Sequence, residues 1–439
     1  MHWQEPRQKL LICAGLDLLG LIAFSLGNAV FKLIPLWPQV DWLLLLALLY
    51  LGFGWLFGSY TVLRWRRLPI PTLLQRVFLT GLVTAVGMAL SRQIVNPSDQ
   101  IWLVHRSTQI VLFPALMLWS SLWRVLLRRG VLVPPSPVCV LVSDAEECSI
   151  VRRAWQLTPP REHLKEMSLR DAVKLPSPLV VAVGSSLEWD REQLALLSQL
   201  ECRDPRETVL TTPLALIERQ LERLPPRLLP EPWLQYGDLP SNRTFSFERQ
   251  LKRVGDVLVA LTLLFVTSPL LLAAILLIWL EDQGSVFYIQ ERSGWLGQPF
   301  CVYKLRTMTV ASSLAEPYWT KPGDQRITRI GQWLRKSRFD ELPQLFNVLR
   351  GDMSLIGPRP ELPEFEQILE LKIPHYRKRH WMRPGLSGWS QVCAPYAASV
   401  DDTELKLSYD LYYLKNFSIW LDLIILFRTI KTVLKVSGR

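Results

Sequence analysis

One stretch of the sequence places two adjacent carboxylates shortly before an arginine that lies between two prolines. Asp340 and Glu341 come just before Pro343, and because proline is tolerated only in the first turn of a helix, they are predicted to lie at a helix start. Gly351 is placed to end that helix. Free backbone N–H groups and the helix dipole favour anions such as phosphate there. The prolines beside Arg359 restrict its backbone, so its guanidinium is presented at a lower ordering cost. A carboxylate able to attack phosphorus, next to donors able to hold phosphate, indicates phosphoryl-type transfer.

The plainer interpretation of this stretch is a helix N-cap followed by a proline-rich loop. Asp-Glu pairs are common at helix starts, because carboxylates accept hydrogen bonds from the free N–H groups there. The stretch alone does not decide between the two interpretations, but the sequence around it favours the first.

Several motifs surround the carboxylates in a fixed order. They are YIQERSG at 288–294, FCVYKLRTM at 300–308, DELPQL at 340–345, GPRP at 357–360, RPGLSGWSQV at 383–392 and YDLYY at 409–413. In this order they resemble the signature blocks of the bacterial sugar transferases, the monotopic phosphoglycosyl transferases that load a phosphosugar onto a polyprenyl phosphate. The resemblance runs from about residue 245 to residue 436. One departure is Arg338-Phe339, where members often carry Ser-Leu; it alters the expected pocket wall and leaves the carboxylates in place.

The resemblance implies a reaction in two covalent steps. The aspartate of the family's dyad, which maps to Asp340, attacks the sugar-bearing phosphorus of a UDP-sugar, and UMP leaves. Undecaprenyl phosphate then attacks the phosphosugar and yields a polyprenyl diphosphosugar, the first membrane step of exopolysaccharide, capsule or O-antigen synthesis. The resemblance further implies Mg²⁺ to neutralise the diphosphate, with Asp340 and Glu341 as both the catalytic and the metal-binding residues.

A group of cations is predicted to hold the substrate's phosphates. Lys304 and Arg306 lie two residues apart on a predicted strand, so their side chains point to the same face. Together with Arg335 and Arg359 they could clamp phosphate oxygens, which arginine does with two parallel hydrogen bonds. The plainer alternative for each cation is a surface salt bridge.

The composition indicates a membrane protein with more than one domain. The 439 residues are 49% hydrophobic, include 18 Trp and carry a net charge of +11, and this length predicts two or three domains. Apolar blocks near the ~20 residues that cross a bilayer as a helix precede residue 130. These blocks are 11–33, 42–60, 73–90 and 110–127. They predict a four-helix transmembrane bundle over residues 1–130, although Asp17, Arg76 and Arg124 place charges in or near them. The alternative is that two of the weaker blocks are buried soluble helices.

Basic residues predict the orientation of this bundle. One side carries Arg7, Lys9, Arg64, Arg66, Arg67, Arg76, Arg128 and Arg129, and the other carries only Lys32, Arg92 and Arg106. The positive-inside rule places both ends of the bundle in the cytoplasm. With the resemblance, this predicts a multi-pass protein of the bacterial inner (cytoplasmic) membrane whose catalytic domain lies on the cytoplasmic face.

Residues 134–242 have the composition of a soluble domain. Short buried strands at 138–142, 179–183 and 208–210, with a helix at 192–200, predict a doubly wound, Rossmann-like α/β sheet. Residues 143–147 contain three acids and no glycine, where a dinucleotide site would carry G-x-G-x-x-G. The domain is therefore interpreted as degenerate and non-catalytic. The proline-rich stretch 224–240 is interpreted as a linker to the catalytic domain, 245–439.

Residues 254–280 are apolar and long enough to span the bilayer as a fifth transmembrane helix. A span would place the dyad outside, away from nucleotide sugars. Ser268-Pro269 lies near the middle, and proline removes a helix hydrogen bond and bends the axis, while a serine hydroxyl can satisfy a freed carbonyl. The resemblance implies a re-entrant helix here, and the spacing of Arg253 and Pro269 fits it. Lys252 and Arg253 are expected to meet cytoplasmic headgroups.

Two basic segments of the C-terminal region are also predicted to contact lipid. Residues 420–436 alternate apolar residues with Arg428, Lys431 and Lys435 at helical spacing, which is typical of an interfacial amphipathic helix. The alternative is a helix packed on the protein core. The basic run 377–379, which lies near two histidines, is interpreted as a contact for anionic headgroups rather than a metal or nucleic-acid site.

The remaining features narrow the choice of function and partners. The six cysteines show no C-x-x-C pair, so no zinc or disulfide framework is indicated, and nothing resembles a nucleic-acid module. The expected partners are a UDP-sugar, undecaprenyl phosphate, membrane lipid and a second copy of the chain through its N-terminal half. Glucose or galactose is favoured by the likeness of residues 394–402 to members that start exopolysaccharide repeats.

Two functions of other classes stay open. A catalytically silent membrane scaffold for polysaccharide assembly is disfavoured by the intact DELPQL and GPRP motifs. A nucleotide-sugar dehydratase or epimerase is disfavoured by the missing glycines after Val142.

Overall fold

The computed structural model describes residues 5–32, 39–60, 70–95, 103, 105–128, 137–157, 163–185, 187, 190–205, 207–235, 247–309, 326–394 and 399–434. These fall into two compact units, the first formed by Met1–Ser143 with Pro159–Thr211 and the second by Asp144–Thr158 with Thr212–Arg439. The expected division into domains at 1–130, 134–242 and 245–439 stays a prediction.

The first unit begins with four apolar helices, as predicted from the hydrophobic blocks. They are α1 (Glu5–Lys32), α2 (Val40–Leu56), α3 (Ile70–Val95) and α4 (Arg106–Arg128). Among the described residues, four helices are long and apolar enough to cross a membrane: Leu11–Val30, Ile70–Val95, Arg106–Leu127 and Glu248–Glu281. Helix α2 is apolar but shorter, at 17 residues. By length and composition, this is a membrane protein.

The charges that interrupt the hydrophobic blocks have partners within the first unit. Asp17 of α1 and Arg124 of α4 are each 1% exposed and form an ion pair at 2.8 Å, and the Ser120 hydroxyl also donates to Asp17 at 2.6 Å. Arg76 donates to the carbonyl of Gly58 at 3.2 Å. Ionisable groups within apolar helices are tolerated when they pair in this way. Most of the residues on which the predicted orientation rests lie outside those whose side chains the structure describes; Arg76, Arg92 and Arg106 are the exceptions.

A parallel sheet forms the rest of the first unit. Its strands are β1 (Val138–Val142), β2 (Leu164–Glu166), β3 (Leu179–Val183) and β4 (Thr208–Thr211), in the order β2-β1-β3-β4. Helices α6 (Leu169–Lys174) and α7 (Arg191–Glu201) belong to the same unit. This confirms the α/β character and the three strands predicted from the apolar runs. Strand β2 was not predicted, because it is only three residues long and two of them are polar and exposed.

The second unit contains α5 (Ala145–Leu157), α8 (Pro213–Leu221), α9 (Phe247–Asp282) and the region of the motifs. In that region lie β5 (Phe287–Ser293), β6 (Pro299–Leu305), α10 (Arg329–Ser337), α11 (Gln344–Arg350), β7 (Ser354–Ile356), α12 (Pro363–Lys372), β8 (Gly385–Ser387), α13 (Trp389–Cys393), α14 (Val400–Lys415) and α15 (Ile419–Leu434). Strands β5 and β6 pair as an antiparallel hairpin, and β7 pairs in parallel with β8. Short 3-10 helices at Pro226–Leu228, Trp295–Gly297, Phe339–Glu341 and Tyr376–Trp381 connect these elements.

Helix α9 is continuous from Phe247 to Asp282 and has Pro269, where the sequence predicts a break, in its interior; its re-entrant course stays a prediction. The Ser268 hydroxyl donates to the carbonyl of Phe265 at 2.7 Å. Near its start, α9 is tied to the unit by Arg253, which donates to the carbonyls of Val348 and Leu349 at 2.6 and 2.8 Å. Near its end, Leu271, Ala274 and Ile278 pack in one cluster with Leu305 of β6 and Leu334 of α10. Between these anchored ends, apolar side chains are exposed, with Phe265 at 82%.

The stretch interpreted as a linker is packed wherever it is described. Leu224 and Trp233 are buried. The Leu224 N–H donates to the carbonyl of Ser408 at 2.8 Å, and the Trp389 indole donates to that of Glu222 at 3.0 Å. The linker interpretation is therefore wrong for residues 224–235, because apolar side chains between the prolines bury themselves on the C-terminal helices; residues 236–240 lie outside the described part.

The basic run 377–379 is also mostly turned inward. Arg379 is buried, Lys378 donates to the carbonyl of Trp233, and only Arg377 is strongly exposed, where it pairs with Glu370 at 2.9 Å. The expected headgroup contact is wrong for Arg379 and Lys378. Their partners stand far away in the sequence, so the run alone could not reveal them.

Helix α15 combines the two alternatives that the sequence left open. Leu421 and Ile425 are fully buried against the unit, while Trp420 and Phe427 are exposed. Arg428 lies over the Trp389 ring, 4.5 Å from its centroid. The helix therefore packs on the core with one face and presents an apolar face outward. The side chains of Lys431 and Lys435 lie outside the described residues.

Candidate active site

The two carboxylates lie in one 3-10 turn that leads into helix α11. Arg338 has a left-handed backbone (φ 62°), and the 3-10 helix Phe339–Glu341 follows it. Pro343 precedes the first residue of α11, and Gly351, at φ 95°, ends the helix. The helix start and its glycine stop are confirmed, with the dyad one turn ahead of the helix.

Most amides around the dyad already have acceptors. The N–H groups of Glu341 and Leu342 donate to Arg338 and Phe339 at 3.3 and 3.2 Å, and those of Leu345 and Phe346 donate within the next turn at 3.0 Å. The expectation that free backbone N–H groups at the helix start bind phosphate is therefore wrong for these four amides. The predicted phosphate contacts at the dyad therefore rest on side chains.

Glu341 is the centre of a cationic cluster. Its Oε1 accepts from Arg359 at 2.6 Å and lies 3.5 Å from Lys304 Nζ, while its Oε2 lies 4.0 Å from Arg338. Burial alone would raise the pKa of Glu341, but the attraction of Arg359 and Lys304 outweighs burial and lowers it far below the usual value. Glu341 is thus an ionised anchor for two of the predicted phosphate-binding residues.

Asp340 has the opposite surroundings. Its Oδ1 is buried and has no hydrogen-bond partner among the described residues. Burial, followed by the neighbouring charge of Glu341, raises the pKa of Asp340 from 3.8 to about 6, against the attraction of Lys304 and Arg335. An unpartnered buried carboxylate oxygen inside a ring of cations is suited to react with, or to bind, an electrophilic centre.

Arg359 is held in place through its backbone. A buried guanidinium, that of Arg379, donates from Nη2 to the Arg359 carbonyl at 2.9 Å and to Asp410 at 3.2 Å. The start of the GPRP motif is tied to β8, because the Gly357 N–H donates to the carbonyl of Ser387. The two backbones approach so closely that a Cβ on Gly357 would collide with the Arg383 carbonyl. The loop is therefore rigid where it presents Arg359.

Sequence reasoning assigned no site role to three residues of this arrangement, namely Arg338, Arg379 and Asp410. Asp410 stands in the YDLYY motif, which is a usable signal, whereas the basic run around Arg379 predicts a contact with lipid headgroups.

The other predicted cations lie around the dyad at different depths. Lys304 belongs to β6, and burial, opposed by Glu341, lowers its pKa. Arg306 follows β6 and is 5% exposed. Arg335 of α10 donates to the Thr307 hydroxyl at 2.8 Å. The structure thus brings Lys304, Arg335 and Arg359 to the dyad, and Arg306 is buried two residues after Lys304 in the chain.

The donor set fits a magnesium ion only together with a substrate. Among the described residues, no group of three or more His, Cys, Asp or Glu side chains could hold a metal. Asp340 offers an unpartnered oxygen, while Glu341 is engaged by cations. Mg²⁺ is commonly bound by one or two carboxylates and substrate phosphates, so Asp340 with a diphosphate is a compatible set.

Comparisons with known proteins identify the same half of the chain. The profile of the family described as bacterial sugar transferase matches residues 247–436. A UDP-N-acetylgalactosamine-undecaprenyl-phosphate N-acetylgalactosaminephosphotransferase of Aeromonas hydrophila is 48% identical over 46% of this chain and 48% of its own length. An undecaprenyl-phosphate glucose phosphotransferase of Komagataeibacter xylinus is 42% identical over 41% of this chain and 35% of its own length.

A third relative is covered over most of its length. It is a UDP-glucose:undecaprenyl-phosphate glucose-1-phosphate transferase of Caulobacter vibrioides, 42% identical over 43% of this chain and 71% of its own. The match spans half or less of the Aeromonas and Komagataeibacter proteins. The residues matched by the family profile, 247–436, contain the dyad, the cations around it and α9. The chain belongs to the bacterial sugar transferase family.

Proposed function

We propose that this protein transfers a sugar 1-phosphate from a UDP-sugar to undecaprenyl phosphate, through a phosphosugar carried on Asp340. The observation that carries the proposal is the buried, unpartnered Oδ1 of Asp340 beside cations that are already ordered by Glu341. The three relatives support it, since their names state transfer to undecaprenyl phosphate.

The proposed chemistry consists of two displacements at one phosphorus. An oxygen of Asp340 bonds to the sugar-bearing phosphorus of the UDP-sugar, and the bond to the bridging oxygen breaks, so UMP leaves with that electron pair. An oxygen of undecaprenyl phosphate then bonds to the same phosphorus, and Asp340 leaves as a free carboxylate. A covalent intermediate divides one difficult transfer into two easier ones.

The cations supply the charge that the diphosphate requires. Arg359 and Lys304 are held at Glu341 before substrate arrives, so little ordering is needed when phosphate oxygens replace part of that contact. Arg335 adds positive charge on the Asp340 side. Mg²⁺, held by Asp340 and the diphosphate with Glu341 close by, would neutralise developing charge on the leaving phosphate.

The sugar is proposed to be glucose or N-acetylgalactosamine. Relatives of both kinds match at 42–48% identity, and the first-named one acts on N-acetylgalactosamine. Glucose is thus kept from the two sugars that the sequence favours, and N-acetylgalactosamine takes the place of galactose. The transfer would start a surface polysaccharide at the bacterial cytoplasmic membrane, with the dyad on the cytoplasmic face.

We further propose that α9 is re-entrant, and the contacts at its two ends support this. A straight helix would separate Arg253 and Ile278 by about 38 Å at 1.5 Å per residue. Yet Arg253 contacts Leu349, at the end of α11, while the cluster of Ile278 includes Leu342, just before α11. Helix α11 has seven residues and is about 10 Å long. A bent α9 whose two arms return to one folded unit accounts for both contacts.

The proposed function is tested by trapping the first step. Purified full-length protein is incubated with UDP-glucose or UDP-N-acetylgalactosamine without acceptor. Intact-protein mass spectrometry is expected to show one added hexose phosphate or N-acetylhexosamine phosphate, respectively, with equimolar UMP. Asp340→Asn should show neither product. It should still unfold at no lower temperature than wild type, because it removes a buried carboxylate whose charged form is disfavoured.

Other outcomes would reject the proposal in distinct ways. Full UMP release by Asp340→Asn would exclude Asp340 as the carrier. A well-folded wild-type protein that releases no UMP from any UDP-sugar, with or without acceptor, would favour the silent scaffold.

A further inference from the structure

A second group of cations lies at the start of α9. Arg249 and Arg253 of α9 line a cleft together with Arg383, Trp295 and Trp381. The cleft has about 510 Å³ of empty volume, counting the part open to solvent. The guanidinium carbons of Arg249 and Arg383 lie 5.7 and 5.3 Å from the centroid of the Trp295 ring, so one indole orders both cations.

The charge of this cleft is strongly positive. Its described lining includes the carboxylate of Asp256, which already accepts hydrogen bonds from the Ser354 hydroxyl at 2.7 Å and the Leu355 N–H at 3.2 Å. Arg253 donates to neutral backbone carbonyls. Burial, and next the repulsion of Arg249 and Arg253, lower the pKa of Arg383. An anion entering the cleft would relieve that repulsion.

The cleft also lies where polar surface gives way to apolar surface. The side chains that follow Arg253 along α9, Val254, Leu258 and Leu261, are all more than half exposed. Tryptophans such as Trp295 and Trp381 are typical of the membrane–water interface, since one part of the ring system is apolar and the N–H is polar. A ligand of the cleft can therefore have a charged head and an apolar body.

This cleft is separate from the dyad. Arg253 contacts the carbonyls at the C-terminal end of α11, whereas Asp340 and Glu341 precede its N-terminal end. The helix between them is about 10 Å long. A phosphate in the cleft is thus too far from Asp340 to take part in the two displacements.

We propose that this cleft binds the phosphate of an anionic phospholipid headgroup and so fixes the base of α9 at the membrane surface. Arg249 and Arg383 would contact the phosphate oxygens, a geometry that guanidinium groups favour. The sequence assigned headgroup contact to Lys252 and Arg253. The structure instead uses Lys252 internally, in a 2.7 Å ion pair with Asp422, and Arg253 on carbonyls. Of the cations that line the cleft, Arg249 and Arg383 are therefore the ones assigned to the headgroup.

The proposal is tested by lipid binding to the full-length protein in neutral detergent. Native mass spectrometry counts bound phosphatidylglycerol, with phosphatidylcholine as the zwitterionic comparison. Arg249→Gln and Arg383→Gln are each expected to weaken phosphatidylglycerol binding about tenfold, the effect of losing one charge-assisted contact. Arg383→Lys should recover part of it. The matched control is Arg377→Gln, which removes an exposed cation that pairs with Glu370 and should leave binding unchanged.

Competition identifies the source of the phosphate. Inorganic phosphate at millimolar concentration should not displace phosphatidylglycerol; displacement would mean a site for free phosphate and overturn the proposal. Displacement by undecaprenyl phosphate that depends on Arg383 would assign the cleft to the acceptor lipid and overturn it as well. Equal phosphatidylglycerol binding by wild type and both glutamine variants, with unchanged thermal transitions, would also reject it.

Discussion

Asp340 and Glu341 are adjacent in the chain but occupy opposite electrostatic surroundings. Glu341 accepts a 2.6 Å hydrogen bond from Arg359 and is held ionised, whereas Asp340 keeps a buried oxygen without a partner. Pairs of titratable groups whose pKa values are pushed apart mark different chemical roles. At the residue scale, Glu341 therefore orders the cations that are proposed to bind phosphate, and Asp340 is the group left able to react.

The raised pKa of Asp340 predicts the pH dependence of UMP release. Below about pH 6 the carboxylate takes up a proton and stops being a nucleophile. The rate of UMP release in a single turnover without acceptor is expected to fall about tenfold for each further pH unit. Stopped-flow or quenched measurements between pH 5 and pH 8 check this.

Loss of structure would not explain that fall. A carboxyl group whose pKa is higher in the folded than in the unfolded state binds protons preferentially when folded, so this group favours folding more as the pH drops from 6 toward 4. The thermal transition at pH 5 is the control. A rate that stays constant down to pH 5 in folded protein would contradict the role of Asp340.

At the scale of elements, α9 is the feature on which the placement of the site depends. Its start is tied by Arg253 to α11, and its end packs on β6 and α10 of the same unit. Because both ends return to one folded unit, the apolar middle can enter a bilayer without carrying the chain across it. In the proposed re-entrant arrangement, the membrane contacts the catalytic region on one face.

Accessibility of the two ends of α9 provides a direct test. Cysteines introduced at Glu248 and Gln283, both exposed, are expected to react with a membrane-impermeant maleimide from the same side of sealed vesicles. Cys202 and Cys301 are exposed and are first replaced by serine. Labelling from opposite sides would establish a transmembrane α9. A cysteine at exposed Arg377 reports the side of the folded unit.

The elements that sequence predicted well are those defined by local pattern. The four N-terminal helices, β1, β3 and the helix stop at Gly351 all follow from apolar runs or a single glycine. The failures concern partners that are distant in the chain. Arg379 is buried because Asp410 stands 31 residues later, and nothing in the basic run itself records that contact. Similarly, the prolines of 224–235 predicted a loop, while the burial of Leu224 and Trp233 is set by helices that follow much later.

At the scale of the whole molecule, the folded unit that contains the catalytic region includes residues that precede all of its sequence motifs. The motifs begin after residue 245, but α8 and the segment to residue 235 pack on the C-terminal helices. Lys415 and Asn416 contact Glu218 at 2.7 and 3.0 Å, and Arg227 contacts Glu404 at 3.0 Å. The residues required for the reaction are therefore expected to begin later in the sequence than the residues required for a stable fold.

Two fragments separate these boundaries. A fragment of residues 241–439 retains every proposed site residue but loses the buried Leu224 and Trp233. It should be less stable than a fragment of residues 212–439 by several kcal/mol in free energy of unfolding, since burying one large apolar side chain contributes about 1.5–3 kcal/mol. Its unfolding temperature should therefore be clearly lower. Both should release UMP when folded. Equal thermal transitions of the two fragments in the same detergent would contradict the packing role of this segment.

The buried ion pair of the N-terminal helices has a consequence for how the protein is made. Asp17 and Arg124 stand 107 residues apart. At about 5–20 residues per second, a ribosome finishes α4 roughly 5 to 20 seconds after α1. During that interval Asp17 lies in an apolar segment without its cation. On translocon scales, the insertion free energy of a charge at the centre of a helix is unfavourable by about 2.5–3.5 kcal/mol. The Asp17 carboxylate of α1 is therefore expected to reach its paired, stabilised state only after α4 has been synthesised.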